Sequence, residues 1–200
     1  MTADFIYLAS ASPRRSELLR QLGVAFVVRP PAVPEAPQHG EPAAGYVERI
    51  ASAKASAVWR EVAAGEARPV LGADTAVVID AEILGKPRDG DEALEMLERL
   101  SGRSHEVLSA VTVQLEDRAE TRISSSKVRF RATTHDERAA YCATKEPLDK
   151  AGAYGIQGFG AVFISDLQGS YSGVMGLPIF ETAALLDRFG LPVWLCGRTQ

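Results

Sequence analysis

Phe5-Ile6-Tyr7-Leu8-Ala9-Ser10-Ala11-Ser12-Pro13-Arg14-Arg15 is the stretch on which the rest of the chain is organised. Mostly apolar residues run into Ser-Ala-Ser, then proline, then two arginines. The pattern predicts a buried strand that feeds straight into a helix. Ser12 suits the N-cap, and Pro13 suits the first turn, where a missing N–H costs nothing. The helix is expected over residues 14–22, with Leu18, Leu19 and Leu22 on its buried stripe and Gly23 as its stop. Arg14 and Arg15 then stand in the first turn, where the helix dipole disfavours positive charge. Two cations there make sense if an anion docks against the free amides and hydroxyls, and phosphate is the natural anion. Two solvated arginines at an ordinary helix start fit this stretch equally well.

Pro69 to Asp80 is the second informative stretch, with Gly72-Ala73-Asp74-Thr75 set between apolar runs. It reads as a buried strand that bends at Gly72. An ionised aspartate inside such a run is costly without a partner. Asp74 is therefore expected at a strand end, facing a metal or a polarised water. Upstream, residues 43–64 carry Tyr46, Val47, Ile50, Ala53, Ala57 and Val58 at helical spacing. Lys54 lies in the alanine-rich middle of that helix. Small neighbours allow it to point into a cleft, although a surface lysine is the commoner case. Between the first helix and this one, a short strand over residues 25–28 leads to a proline-rich loop carrying Glu35, His39 and Glu41.

Asp80-Ala81-Glu82 makes a tight turn, and Lys86 is fixed between Gly85 and Pro87. Residues 91–100 form an amphipathic helix. Residues 105–115 and 121–132 alternate as a hairpin whose tip spans 114–120. Thr134 caps a helix running to about Thr144. The third informative stretch, Asp149 to Gly160, repeats glycine at 152, 155, 158 and 160. It is not a dinucleotide fingerprint, because the G-x-G-x-x-G order is missing. Gln157 between glycines presents an amide suited to reading a base edge or to bracing a loop. A small hairpin over 161–165 and 169–171, a closing helix over 179–189 and a short apolar run over 191–196 complete the chain.

The 200 residues suit one domain, or two small lobes sharing a core. Hydrophobic residues make up 46% and charged residues 24%, an ordinary globular balance. The net charge of −4 argues against wide contact with nucleic acid but leaves room for a local basic pocket. No apolar run approaches a membrane span, and the start lacks a signal-peptide layout. Cys142 and Cys196 match no metal or redox motif, so reduced thiols in a cytoplasmic protein are expected.

Several stretches in order resemble one family: Leu8 to Arg15, Lys54-Ala55, Gly72-Ala73-Asp74-Thr75, Gly85-Lys86-Pro87, Ser101-Gly102 with His105, and Gly176-Leu177-Pro178. The chain resembles Maf proteins, which are nucleoside triphosphate pyrophosphatases, over about residues 6–189. Asp149 to Gly158 is similar to the branch that hydrolyses dTTP and UTP. The resemblance implies an α/β, mixed-sheet fold of two lobes around a central cleft, similar to inosine triphosphate pyrophosphatases, and a single domain over residues 1–200. It implies a homodimer, a divalent Mg²⁺ or Mn²⁺ ion, and cleavage between the α and β phosphates. By position, Asp74 matches the catalytic acid/base. Ser10, Arg15, Lys54 and Lys86 match the phosphate contacts, while Arg14, Thr75 and Gln157 match positions that choose the base. Glu35 falls where the family carries an acidic residue beside the site, and with Asp74 it is the expected metal ligand. Here Glu35 follows Pro34, whereas many members carry an acidic pair. Ser172-Gly173-Val174-Met175 also departs from the usual version.

The residue types suit that chemistry. Four basic side chains offset a triphosphate's charge, and the amide of Gln157 offers both donor and acceptor to a uracil or thymine edge. Modified pyrimidine triphosphates lie within the same expectation. The competing function is a non-catalytic nucleotide-binding regulator of cell division. A nucleic-acid-binding module finds no support in the acidic balance.

Overall fold

The computed structural model describes residues 5–191 and residue 193. Its centre is a seven-stranded mixed sheet flanked by helices, an α/β fold. The strands are β1 (Ile6–Ala9), β2 (Phe26–Val28), β3 (Val70–Ile79), β4 (Glu82–Leu84), β5 (Ser104–Leu115), β6 (Arg118–Phe130) and β7 (Ile164–Gln168). Their order is β2-β1-β3-β5-β6-β7, with β4 pairing off β3. β1 runs parallel to β2 and β3, and the remaining pairs are antiparallel. The helices are α1 (Pro13–Gln21), α2 (Ala43–Val62), α3 (Gly90–Leu100), α4 (His135–Ala143), α5 (Tyr171–Met175) and α6 (Ile179–Arg188).

One feature of the pairing makes the site. β1 covers the edge of β3 only as far as Gly72, and β4 covers it again only from Val77. Residues 73–76 between them are left uncovered on that side, although β5 pairs them on the other. β1 ends opposite Gly72, so Ser10 and α1 leave the sheet beside this gap.

Alternation along β3 sends Leu71 and Ala73 into a core beneath α1 and α6. Ala76 packs with Tyr46, Ile50 and Ala51 of α2. A further core around Leu97, Phe130, Tyr154 and Phe163 fills the far end of the sheet. Gly72 shows why α2 can lie so close. A Cβ built there would stand 2.3 Å from the Ala51 carbonyl oxygen and 2.7 Å from the Ala55 amide nitrogen. β3 therefore runs unbroken through Gly72, and the glycine serves close approach instead of the expected bend.

Several expectations change in detail. Asp74 lies in mid-strand opposite Ala110, not at a strand end. The long hairpin closes through two residues, because β5 and β6 stay paired to Leu115 and Arg118. The small hairpin over 161–171 is not formed. Residues 159–163 make a 3₁₀ turn and residues 164–168 join β6 instead. Ser170 then caps α5 by accepting from the Gly173 amide. Ser12 occupies the N-cap position of α1 without a side-chain capping bond. The Thr134–Glu137 capping box is present. The apolar run over 191–196 falls mostly outside the described residues.

Candidate active site

A cleft of about 560 Å³ opens at the uncovered edge of β3. Ser10, Arg14, Arg15, Glu35, Lys54, Asp74, Thr75, Lys86 and Gln157 all line it. Residues from six separated stretches thus meet in one place. Lys54 is only 6% exposed and Asp74 only 5%. The Lys54 ammonium donates to Asp74 Oδ1 at 2.8 Å and pairs with Glu35 Oε1 at 2.6 Å. Lys54 therefore belongs to the cleft and supplies the partner a buried aspartate needs. Lys86 is more exposed, 3.7 Å from Glu35 Oε2.

Asp74 Oδ2 is buried and makes no hydrogen bond among the described residues. Burial pushes the Asp74 pKa up, and the charges of Lys54 and Arg15 only partly oppose this. Burial also acts to raise the pKa of Glu35, but bonding to Lys54 and the nearby cations outweigh it, leaving a net decrease. The two carboxylates around one ammonium are thus unlike in proton affinity. Tyr46 ties the Glu35 segment to α2 by donating to the Glu35 carbonyl at 3.0 Å. Its phenol is pushed up to about 12 by burial and by the charges of Asp74 and Glu35.

Arg15 is pinned by protein groups. Its Nε donates to the Gly176 carbonyl at 2.8 Å, and its guanidinium also bonds Ser10 Oγ at 3.0 Å and Thr75 Oγ1 at 3.5 Å. Arg14 instead pairs with Asp149, another lining residue, at 2.8 Å. Asp149 also accepts from Lys150 at 2.6 Å. Gln157 is exposed, and its amide makes no hydrogen bond among the described residues. Its loop is held by Glu146, whose carboxylate accepts from the Phe159 amide at 2.9 Å, the Gly160 amide at 3.2 Å and the Tyr141 hydroxyl at 2.8 Å. A Cβ at Gly158 would lie 2.3 Å from that carboxylate, which accounts for the glycine.

The family model for Maf-like proteins matches residues 5–189. The chain belongs to the Maf family. Three curated relatives carry the name dTTP/UTP pyrophosphatase. The Aromatoleum aromaticum protein is 50% identical, over 94% of this Maf chain and 97% of its own. The Bordetella avium protein is 51% identical, over 93% and 96%. The Methylococcus capsulatus protein is 53% identical, over 93% and 91%. A solved Mycobacterium abscessus nucleoside-triphosphatase, also titled dITP/XTP pyrophosphatase, aligns over 92% of this chain and 96% of its own, at 17% identity and a TM-score of 0.46.

Tyr46, Asp149, Glu146 and Ser109, the last bonded to Thr75 Oγ1 at 2.8 Å, shape this Maf site, yet the sequence reading does not single them out for it. Tyr46 looks like one more apolar residue on α2, and Ser109 like one more position in an alternating strand. Asp149 stands at the head of the glycine-rich stretch, the only local signal any of them carries. Among the described residues, no three His, Cys, Asp or Glu side chains group as a metal site. The described helices include none long and apolar enough to cross a membrane.

Proposed function

We propose that this protein hydrolyses dTTP and UTP to the nucleoside monophosphate and pyrophosphate. The observation that carries the reading is Asp74 Oδ2, without a partner among the described residues, in a cleft that five basic side chains and Gln157 also line. The relatives' shared name points the same way.

Water attacks the α-phosphorus in this reaction, the α–β bridging P–O bond breaks, and pyrophosphate leaves with the electron pair. Asp74 accepts the water's proton. Its oxygen Oδ1 is fixed by Lys54, and burial makes the group a stronger base than a surface aspartate. Lys54, Lys86, Arg15 and the first-turn amides of α1, with Ser10, hold the phosphates and the charge that develops on them. Arg14, Thr75 and Gln157 choose the base.

The donor set fits a divalent cation. An orphaned buried carboxylate oxygen on Asp74 and the half-exposed Glu35 are hard oxygen ligands, and a triphosphate adds more. Asp74 and Glu35 would hold Mg²⁺ or Mn²⁺, which supplies charge neutralisation and acidifies water when bound. Two lobes sharing the one sheet, a cytoplasmic place and a homodimer belong to the same reading. Phe180 at 79% exposure and Tyr171 at 50% offer apolar surface to a second copy, and light scattering checks that state.

The deciding experiment measures pyrophosphate release with Mg²⁺ or Mn²⁺ across the common and 7-methylated triphosphates, beside Asp74→Asn. Turnover of dTTP and UTP that the variant and chelation abolish is expected. Release from 7-methyl-GTP alone would keep the reaction and overturn the role given to Gln157. Nucleotide binding without turnover, unchanged in Asp74→Asn, would leave the regulator reading.

A further inference from the structure

Ser109 lies in mid-β5, 1% exposed, directly opposite Thr75 of β3. Its Oγ is 2.6 Å from the Gly173 carbonyl oxygen and 2.8 Å from Thr75 Oγ1. A carbonyl only accepts, so the single Ser109 proton is committed to Gly173. Ser109 can then meet Thr75 only as an acceptor, and the Thr75 proton is committed to Ser109. The guanidinium of Arg15, which carries only donors, also contacts Thr75 Oγ1 at 3.5 Å and agrees with that polarity.

We propose that Ser109 is a positioning residue for base choice, because it turns the Thr75 hydroxyl into an acceptor that favours bases carrying an N3–H. Uracil and thymine carry that donor. Cytosine presents a bare N3 lone pair at the same place, so it meets lone pair with lone pair and leaves both unpaired. The inference rests on the reading of Thr75 as a base-choosing residue and adds what fixes the sign of its choice.

The test is kcat/KM for UTP and CTP with the wild type, Ser109→Ala, Thr75→Val and the double variant. In Ser109→Ala the Thr75 proton is free to turn toward cytosine. The UTP:CTP ratio is expected to fall about tenfold, the scale of one hydrogen bond, through a gain on CTP as well as a loss on UTP. A merely structural role for Ser109 would lower both nucleotides together and leave the ratio alone. Thr75→Val is expected to lower the ratio too, and the double variant to match it. An unchanged ratio in folded Ser109→Ala overturns the inference. If that variant does not fold, an unchanged ratio in Thr75→Val overturns it. A wild type that releases pyrophosphate from neither nucleotide overturns the reading of the site and this inference with it, whereas a UTP-selective wild type whose ratio survives the substitutions overturns this inference alone.

Discussion

Lys54 Nζ sits 2.8 Å from Asp74 Oδ1, with both side chains shut away from solvent between α2 and β3. The same ammonium holds Glu35 at 2.6 Å, so one cation serves two carboxylates. Lys54→Met removes it without removing bulk. Breaking a buried pair from one side costs about 3–5 kcal/mol, which calorimetry will register as a lower melting midpoint. Turnover should fall about a hundredfold with the lost phosphate contact and lost control of Asp74. The acid limb of kcat/KM gives the sharper check. Burial already raises the Asp74 pKa and the Lys54 charge restrains it, so the variant's limb must move to higher pH. A limb that stays in place would remove Asp74 from the role of proton acceptor.

Gly72→Ala tests how that contact is built. The new Cβ would meet the α2 backbone itself, at 2.3 Å from the Ala51 carbonyl oxygen, and backbone cannot swing aside as a side chain can. α2 must back away and carry Lys54 with it. A loss of about 1–3 kcal/mol is expected, or several degrees of midpoint, together with a fall in kcat. Full activity and an unchanged midpoint would mean that the helix does not bear on the site.

The outline of this arrangement is legible in the chain because it is local. The apolar run marks β3, alternation marks β5 and β6, the helical period marks α2, and the Thr134 cap starts α4, whereas the Asp89 cap that starts α3 shows only in the structure. The candidate residues are legible one by one through the motifs that carry them. Their mutual partners are not. Asp74 and Lys54 stand 20 positions apart, and the packing of α2 on β3, close at Gly72, brings them into contact. The segment over 161–171 misleads for the same reason. Its alternation is real, but β6 offers Ile164–Gln168 a longer partner than a local hairpin does, and Ser170 opens a helix where a second strand was expected. Hydroxyl direction at Thr75 is also invisible until Ser109 and Gly173 are placed around it.

Glu146→Ala should loosen the loop that presents Gln157. The carboxylate binds two amides of that loop and the Tyr141 hydroxyl. Burial acts to raise its pKa, but those bonds outweigh it and leave a net decrease. A depressed carboxylate pKa contributes stability above the unfolded value, and that stability is lost as pH falls through the folded value. The variant should therefore lose about 2 kcal/mol at neutral pH and match the wild type more closely in acid. KM for UTP should rise several-fold while kcat changes less. A drop in kcat at constant KM would place Glu146 with the phosphates and not with the base.

His105 is expected to govern the acid side of stability. It is 4% exposed, bonds the Tyr154 hydroxyl through Nε2 at 2.8 Å, and leaves Nδ1 without a partner among the described residues. Burial alone pushes its pKa down to about 4. Below an unfolded value of about 6.5 the unfolded chain takes up a proton that the native chain refuses, so native stability is lost as pH falls through that window. The gap corresponds to about 3 kcal/mol, complete once the pH drops beneath the folded value. Denaturant titrations at a series of pH values between 7 and 4, in wild type and His105→Gln, separate this loss from that of the carboxylates. The wild-type curve should fall more steeply across the window, and the variant's should flatten. Parallel curves would mean that His105 takes its proton in the folded state, with the Tyr154 contact opening to admit it.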